Sequence, residues 1–165
     1  MNTMNIVTIS LGKPVMAPIL IPVKHIAKPL CINEPFIVNG IHYKVTCVSF
    51  GTPHGVVPVE NVDEVDVQEL GFALGTHTLF PEGASIVFIQ PLGDDHFKAR
   101  LWQRGEGETA FSPEAGGVAG IAAIILQKIW NGEATVTMGG NTFHVKWNKG
   151  ADTVDITGPA DLMMP

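Results

Sequence analysis

The residues best suited to chemistry lie beside the start of one apolar segment and at the end of a predicted strand. Ser112 is followed by Pro113 and Glu114, and Gln103 directly precedes Arg104. A serine before a proline is typical of a helix start, because the hydroxyl accepts a bond from a first-turn amide and proline needs no donor there. We interpret Ser112 as a helix cap, and acid–base catalysis is the alternative.

A permanent cation and a histidine are the other candidates. The Arg104 guanidinium needs a carboxylate or backbone partner, which Glu106 or Glu108 is predicted to supply, and binding of a ligand is an equally good interpretation. His54 lies in the segment 49–55, which is interpreted as a loop at a strand end. A structural histidine bonded to that turn is favoured there over a binding residue.

The residue pattern indicates neither a metal site nor a nucleotide site. The six histidines have no ligand-like spacing, and Cys31 and Cys47 form no Cys-x-x-Cys pair. The sequence Gly105-Glu106-Gly107 lacks the third glycine and the lysine of the known phosphate-binding loops. We therefore expect no metal and no cofactor.

Composition limits the class of protein. The chain has 165 residues, of which 45% are hydrophobic and 16% charged, so we expect one domain, residues 1–165, with a full core. Ten Lys and Arg against sixteen Asp and Glu give a net charge of −6, which argues against nucleic acid or an anionic membrane as a partner. Residues 1–23 have no basic leader region and carry prolines at 14, 18 and 22. We expect a cytoplasmic protein with reduced cysteines.

Short strands and tight turns are predicted for most of the chain. The pair Asn39-Gly40 is the strongest hairpin signal, because it readily adopts a type I′ turn. Asp66 followed by Glu69 is a capping signature that predicts a helix over about Val67–Gly75. Strands are predicted over residues 6–11, 18–23, 36–38, 41–48, 56–59, 84–90, 97–103, 134–138, 142–147 and 153–157.

One segment predicts a helix that is buried on nearly every face. From Ala115 to Trp130 only Gln127 and Lys128 are strongly polar, so the helix has no side for solvent. Asn131-Gly132 supplies its stop. The predicted fold class is therefore α+β, with a mostly antiparallel sheet curled around one long buried helix.

Five short motifs follow one another in a fixed order. They are VSFGTPH at 48–54, DEVDVQELG at 63–71, LFPEG at 79–83, WQRGEGET at 102–109 and TGPA at 157–160. Together they resemble the carboxyl-terminal half of diaminopimelate epimerase over about residues 6–160. The resemblance implies half of a two-domain fold in which each half curls around a central helix, and a place in lysine biosynthesis within amino-acid metabolism.

The resemblance also implies a reaction. That family works without a cofactor: it removes the α-proton of an amino acid on one face and returns a proton on the other, with one cysteine from each half. The helix after the second cysteine holds the substrate carboxylate on its backbone amides. Because the resemblance covers one half, a complete cleft would need a homodimer or a separate protein that supplies the amino-terminal half. A small amino-acid-like molecule is the ligand this implies.

Most of the matching functional positions carry other residues here. Ser112 stands where the family has its catalytic cysteine, Gln103 where it has the ammonium-binding glutamate, and Pro113-Glu114-Ala115 where it has the carboxylate-binding Gly-Thr-Gly. Thr52 and Ser85 replace two asparagines, and Arg104 is kept.

These replacements remove the chemistry that the family needs. A serine hydroxyl holds no anionic base state near neutral pH without activation. Pro113 removes an amide donor, and the Glu114 carboxylate would satisfy the helix dipole itself and repel a substrate carboxylate. We expect a catalytically degenerate half that acts as a small-molecule binding or interaction module. The alternative is a cofactor-independent isomerase, epimerase or cyclase whose cleft a partner completes.

Overall fold

A computed structural model describes residues 5–164; Met1 to Met4 and Pro165, which belong to the predicted domain, lie outside the described residues. A 3-10 turn covers Val62–Glu64. The helices are α1 Val67–Gly75, α2 Pro113–Leu126 and α3 Ala160–Met163. The strands are β1 Ile6–Gly12, β2 Glu34–Val38, β3 Ile41–Ser49, β4 Pro53–Pro58, β5 Ser85–Pro91, β6 His96–Gln103, β7 Gly107–Thr109, β8 Glu133–Met138, β9 Asn141–Asn148 and β10 Thr153–Pro159.

The ten strands form one sheet in the order β1-β10-β9-β8-β6-β5-β4-β3-β2, with β7 paired to β6. Two pairs, β4 with β5 and β6 with β8, are parallel, and the rest are antiparallel. Just after β1, Val15 forms a bridge to Ser49 at the end of β3, which brings the two ends of the sheet towards each other. The predicted α+β class with a mostly antiparallel curled sheet is confirmed.

Helix α2 fills the inside of the curl. Every residue from Ala115 to Ile124 is buried, and the helix packs against strands on several sides. Its glycines allow this close approach: a Cβ atom added at Gly120 would lie 2.5 Å from the Cβ of Val145 on β9. A helix of small and apolar residues is thus what lets one sheet wrap around it.

A second apolar layer lies on the other side of strands β3 to β6. Helix α1 packs there against β6, and its residues Gly71 and Gly75 face the ring of Trp102. Asp66 caps this helix by accepting a bond from the amide of Glu69, as the capping signature predicts.

Three expectations from the sequence are wrong. Residues 18–23 form no strand: the amides of Leu20 and Ile21 donate to the carbonyl of Ala17, so the segment turns instead. Helix α2 ends at Leu126, and Trp130 is 90% exposed rather than buried. His54 lies in β4 and not in a loop, because β4 begins at Pro53.

None of the helices within residues 5–164 combines the length and the apolar character needed to cross a membrane.

Candidate functional site

One end of the curled sheet collects the candidate residues. Because β4 and β5 are parallel, their first residues meet at the same end, and His54 pairs in register with Ser85. Strand β6 runs the other way and ends at Gln103, so Arg104 follows at that same end. The short strand β7 then leads the chain to Ser112 at the start of α2.

The hydroxyl of Ser112 is used by the fold. Its Oγ accepts a hydrogen bond from the amide of Ala115 at 3.1 Å, and its carbonyl accepts one from the amide of Gly116 at 3.0 Å. Pro113 has no amide hydrogen. The Glu114 amide is therefore the first-turn donor that neither bond uses. Ser112 is the N-cap of α2, and a catalytic role for it stays a prediction.

The Glu114 side chain lies over the loop that joins β3 to β4. Its Oε1 is 3.3 Å from the position that a Cβ atom would take on Gly51, which has a φ of +131°. Partial burial raises the pKa of the Glu114 carboxyl above its ordinary value, because burial disfavours the charged form. A half-buried carboxyl with a raised pKa is thus held at the start of the buried helix.

His54 on β4 is bonded to the same loop between β3 and β4. Its Nδ1 lies 2.7 Å from the carbonyl oxygen of Thr52, and since a carbonyl only accepts, Nδ1 carries the proton and donates. Burial lowers the pKa of His54 to about 4, the bond to Thr52 opposes this, and the nearby Arg104 charge adds to it. His54 is therefore neutral at pH 7 and fixes the backbone at Thr52.

Arg104 is anchored by its neighbours' backbone and hydroxyl groups. Its amide donates to Ser85 Oγ at 3.0 Å, and its Nη1 donates to the carbonyl of Glu82 at 3.0 Å. The expectation that Glu106 or Glu108 pairs with Arg104 is wrong, because Glu108 instead makes a two-bond ion pair with Arg100, from Nε and Nη2, each at 2.9 Å. The exposed Arg104 guanidinium keeps donors directed to solvent.

Gln103 is held by a residue that sequence reasoning missed. The hydroxyl of Thr109 on β7 donates to Gln103 Oε1 at 2.9 Å, which leaves the amide NH2 group of Gln103 as a donor. Strand β7 exists because Gly105 and Gly107, with φ of +82° and +89°, turn the chain back onto β6. The two glycines, which fail the phosphate-loop pattern, are the signal for this turn.

The structure thus brings the candidates together in two groups. Thr52, His54, Ser85, Gln103 and Arg104 lie around the ends of β4, β5 and β6, and Ser112 and Glu114 lie at the start of α2. Within residues 5–164 no hydrogen bond joins the two groups, although both contact the loop at 51–52. Four surface cavities of about 430 to 480 Å³ are lined by other residues.

A metal site is not part of this arrangement. In the part of the chain that the structure describes, three or more histidine, cysteine or carboxylate side chains do not gather in a way that could hold an ion.

Solved structures define the class of fold. A hydroxyproline epimerase from Agrobacterium vitis, solved with bound trans-4-hydroxy-L-proline, matches with a TM-score of 0.64 at 14% identity over 94% of this chain and 50% of its own. A phenazine biosynthesis protein of the PhzF family from Bacillus anthracis matches with a TM-score of 0.59 at 17% identity, over 94% of this chain and 58% of its own. At these identities the likeness shows the fold.

The family follows from sequence comparison. The profile of the family described as diaminopimelate epimerase matches residues 46–163. The diaminopimelate epimerase of Acetivibrio thermocellus is 35% identical over 155 residues, which are 94% of this chain and 55% of the relative. The chain belongs to the diaminopimelate epimerase family, and it spans about half the length of the curated relatives it matches.

Proposed function

We propose that this chain is a binding half of the epimerase fold. It takes an amino-acid-like molecule through the carboxylate of that molecule and carries out no α-proton exchange by itself. The observation that carries this proposal is the start of α2, where Ser112 Oγ accepts from Ala115 and its carbonyl accepts from Gly116. The helix thus uses its own cap at the position where the resemblance implies a thiol.

The anion-binding capacity of that helix start is small. Pro113 supplies no donor, and the Glu114 amide is the first-turn donor that the cap bonds leave unused. A single amide beside a carboxyl side chain is a poor carboxylate site, because two carboxylates would share one partner. The main cation for a ligand is therefore Arg104 at the neighbouring strand ends.

Arg104 is suited to this role by its anchoring. The bond from Nη1 to the Glu82 carbonyl fixes the guanidinium and uses one of its five N–H donors. A planar guanidinium with donors left on one edge matches a carboxylate with two parallel bonds. The side chain of Gln103, held through Thr109, lies on the adjacent residue and offers its NH2 group.

A titration of the isotope-labelled chain with diaminopimelate tests the proposal. We expect the amide resonances of residues 103–109 to shift, and the side-chain resonances of Arg104 with them. The Arg104→Ala variant is expected to lose the shifts. Lys44→Ala is the matched control. It removes an exposed cation on β3, so we expect it to preserve the fold while changing the net charge by the same amount as Arg104→Ala.

Two results would contradict the proposal. One is a set of shifts confined to residues 112–116, which would return the carboxylate to the helix start. The other is equal loss of binding in Arg104→Ala and Lys44→Ala, which would reduce the interaction to net charge.

A second function is favoured by the position of Glu114, whose half-buried carboxyl lies at the start of α2 beside Gly51. Its pKa is raised by partial burial at the start of α2, and a carboxyl shifted towards neutral pH is suited to general acid–base catalysis. In this alternative the chain is a cofactor-independent isomerase, epimerase or cyclase, and a second copy or a separate amino-terminal-half protein completes the cleft.

Chiral chromatography of amino acids incubated with the purified protein distinguishes this alternative. It requires product formation that Glu114→Gln abolishes and Ser112→Ala preserves. Product formed equally by wild type and Glu114→Gln would exclude Glu114 as the acid–base group. If the chain sediments as a monomer at the assay concentration, a second copy cannot be what completes the cleft.

A further inference from the structure

The two cysteines of the chain lie side by side, away from the site described above. Their Sγ atoms are 3.1 Å apart, and both are free thiols. Cys31 belongs to the irregular segment 13–33 between β1 and β2, and Cys47 belongs to β3. The amide of Cys47 donates to the carbonyl of Cys31 at 2.9 Å, so the backbone also holds the two residues together.

The two thiols are not equivalent. Burial raises the pKa of Cys47, whose side chain has no exposed surface. The pKa of Cys31 is lowered, because on ionisation the Cys47 thiol can donate to the Cys31 sulfur. In the neutral pair the bond runs the other way, from Cys31 to Cys47. Cys31 is therefore the thiol that ionises first, and Cys47 is its immediate neighbour.

We propose that Cys31 and Cys47 form a reversible disulfide that ties the segment 13–33 to strand β3, and that a peroxide is the oxidant. The sulfurs need to approach from 3.1 Å to the bond length of about 2.05 Å, a movement that side-chain rotation supplies.

The chemistry balances in two steps. The Cys31 thiolate attacks one peroxide oxygen, the O–O bond breaks, and the sulfenic acid of Cys31 forms as hydroxide leaves and takes up a proton. The Cys47 sulfur then attacks the Cys31 sulfur, the S–S bond forms, the S–O bond breaks, and a second water leaves with the proton of the Cys47 thiol. The two thiols together lose two electrons, which reduce the peroxide to two waters.

The oxidant reaches the pair through the segment that covers it. Cys31 and Cys47 are 1% and 0% exposed, so the closed structure shields both. Residues 24–33, however, contain no helix or strand, and all but Ile26, Cys31 and Ile32 are exposed. A segment with few buried contacts opens locally at low cost, which exposes Cys31 without unfolding the sheet.

The bond would act on the site from a distance. Cys47 lies two residues before Ser49, which is bridged to Val15 of the same irregular segment. Ser49 Oγ also accepts from the amide of Gly51, beside which Glu114 lies. With the disulfide at Cys31 and the existing bridge at Val15, both ends of the segment would be held to β3, next to the loop at 51–52.

The experiment treats the purified chain with an equimolar amount of hydrogen peroxide and then counts free thiols after denaturation. We expect both thiols to disappear and a non-reducing peptide map to join the peptides of Cys31 and Cys47. We also expect the melting temperature to rise by about 5–10 °C, since the bond closes a loop between residues 16 apart. Dithiothreitol should restore both thiols and the original melting temperature.

Two variants and three outcomes decide the proposal. Cys31→Ala and Cys47→Ala should each lose the peroxide-induced rise, and the wild-type measurement stands alone if either variant fails to fold. Thiols that stay unreacted, a disulfide formed only between two chains, or oxidation to sulfonic acid without a cross-link would each overturn the proposal. These readouts need no ligand and no turnover, so they are independent of the proposed function.

Discussion

The neutral, buried His54 makes the stability of this protein depend on pH. Its Nδ1 donates to the carbonyl of Thr52 at 2.7 Å, and burial lowers its pKa to about 4. The unfolded chain exposes the same imidazole to water, where its pKa is 6.5. Below pH 6.5 the imidazole is therefore protonated in the unfolded state while it stays neutral in the folded state.

The size of the effect follows from these two values. A folded pKa of about 4 against 6.5 in the unfolded chain, at about 1.4 kcal/mol for each pKa unit, corresponds to about 3 kcal/mol. The stabilisation is fully present above pH 6.5 and is lost as the pH falls from 6.5 towards 4, because stability rises with pH where the unfolded state binds more protons.

Urea denaturation measures this contribution when it is repeated at pH values from about 7.5 down to about 4, which span the range where histidine titrates. We expect the free energy of unfolding of the wild type to fall by about 3 kcal/mol more than that of His54→Gln, which has no group to titrate. His42→Gln is the matched control, because His42 is exposed on β3 and should follow the wild type.

Two results would refute this reasoning. One is a His54→Gln variant whose stability falls with pH as steeply as that of the wild type. The other is an NMR titration in which the His54 ring takes up its proton near the ordinary histidine value while the protein stays folded.

Three further substitutions test the packing of α2, the cap of α2 and the ion pair between Arg100 and Glu108. Gly120→Ala should lower the free energy of unfolding by about 1–2 kcal/mol, because the contact with Val145 outweighs a gain in helix propensity of about 1 kcal/mol; Gly93→Ala, where nothing lies within 4 Å, should change it little. Ser112→Ala should cost about 1 kcal/mol through the lost cap. Arg100→Lys should cost about 1 kcal/mol, because lysine cannot make the paired bonds to Glu108. Urea denaturation at pH 7 measures all three.

Each of these has a result that would contradict it. A more stable Gly120→Ala protein would mean that the sheet can move away from α2 without a loss of stability. If the free energy of unfolding were unchanged in Ser112→Ala, the cap bond would contribute nothing to stability. An unchanged Arg100→Lys protein would mean that the two-bond geometry with Glu108 contributes nothing beyond charge.

Elements with a local chemical signature could be predicted from the sequence. The turn at Asn39-Gly40 sets the hairpin of β2 and β3, and the Asp66 cap gives α1 the bounds that the structure has. Ser112 and Pro113 likewise set the start of α2. In each case the signal is a side chain or backbone preference that acts within four residues.

Elements without such a signature were missed or misplaced. Helix α2 has no polar face, so no change of periodicity marks its end, and the helix stops where Lys128 takes a φ of +53°. Strand β7 has three residues and exists only because its glycine turn pairs it with β6. Residues 18–23 are apolar and rich in proline, which suits a turn as well as an edge strand.

The candidate functional site also has features that the sequence predicts and features that it does not. The residues themselves could be named from the motifs, and a bond from His54 to its own turn agrees with the sequence-based interpretation. The particular acceptors could not be named, because Arg104 bonds to the carbonyl of Glu82 and His54 to that of Thr52. Every residue has a carbonyl, so a sequence does not show which one a side chain reaches. The nearness of Cys31 and Cys47 is also a product of the fold, since the residues are 16 apart along the chain.

Deuterium exchange tests the central claim most directly. Diaminopimelate is incubated with the chain alone in deuterated water, and the α-proton signal is followed by NMR beside a complete family enzyme as the positive control. Because Ser112 serves as the N-cap of α2, where the resemblance in sequence implies the thiol of the family, we predict that the signal stays at the level of a protein-free sample. Loss of the α-proton in proportion to the concentration of the chain would contradict the account.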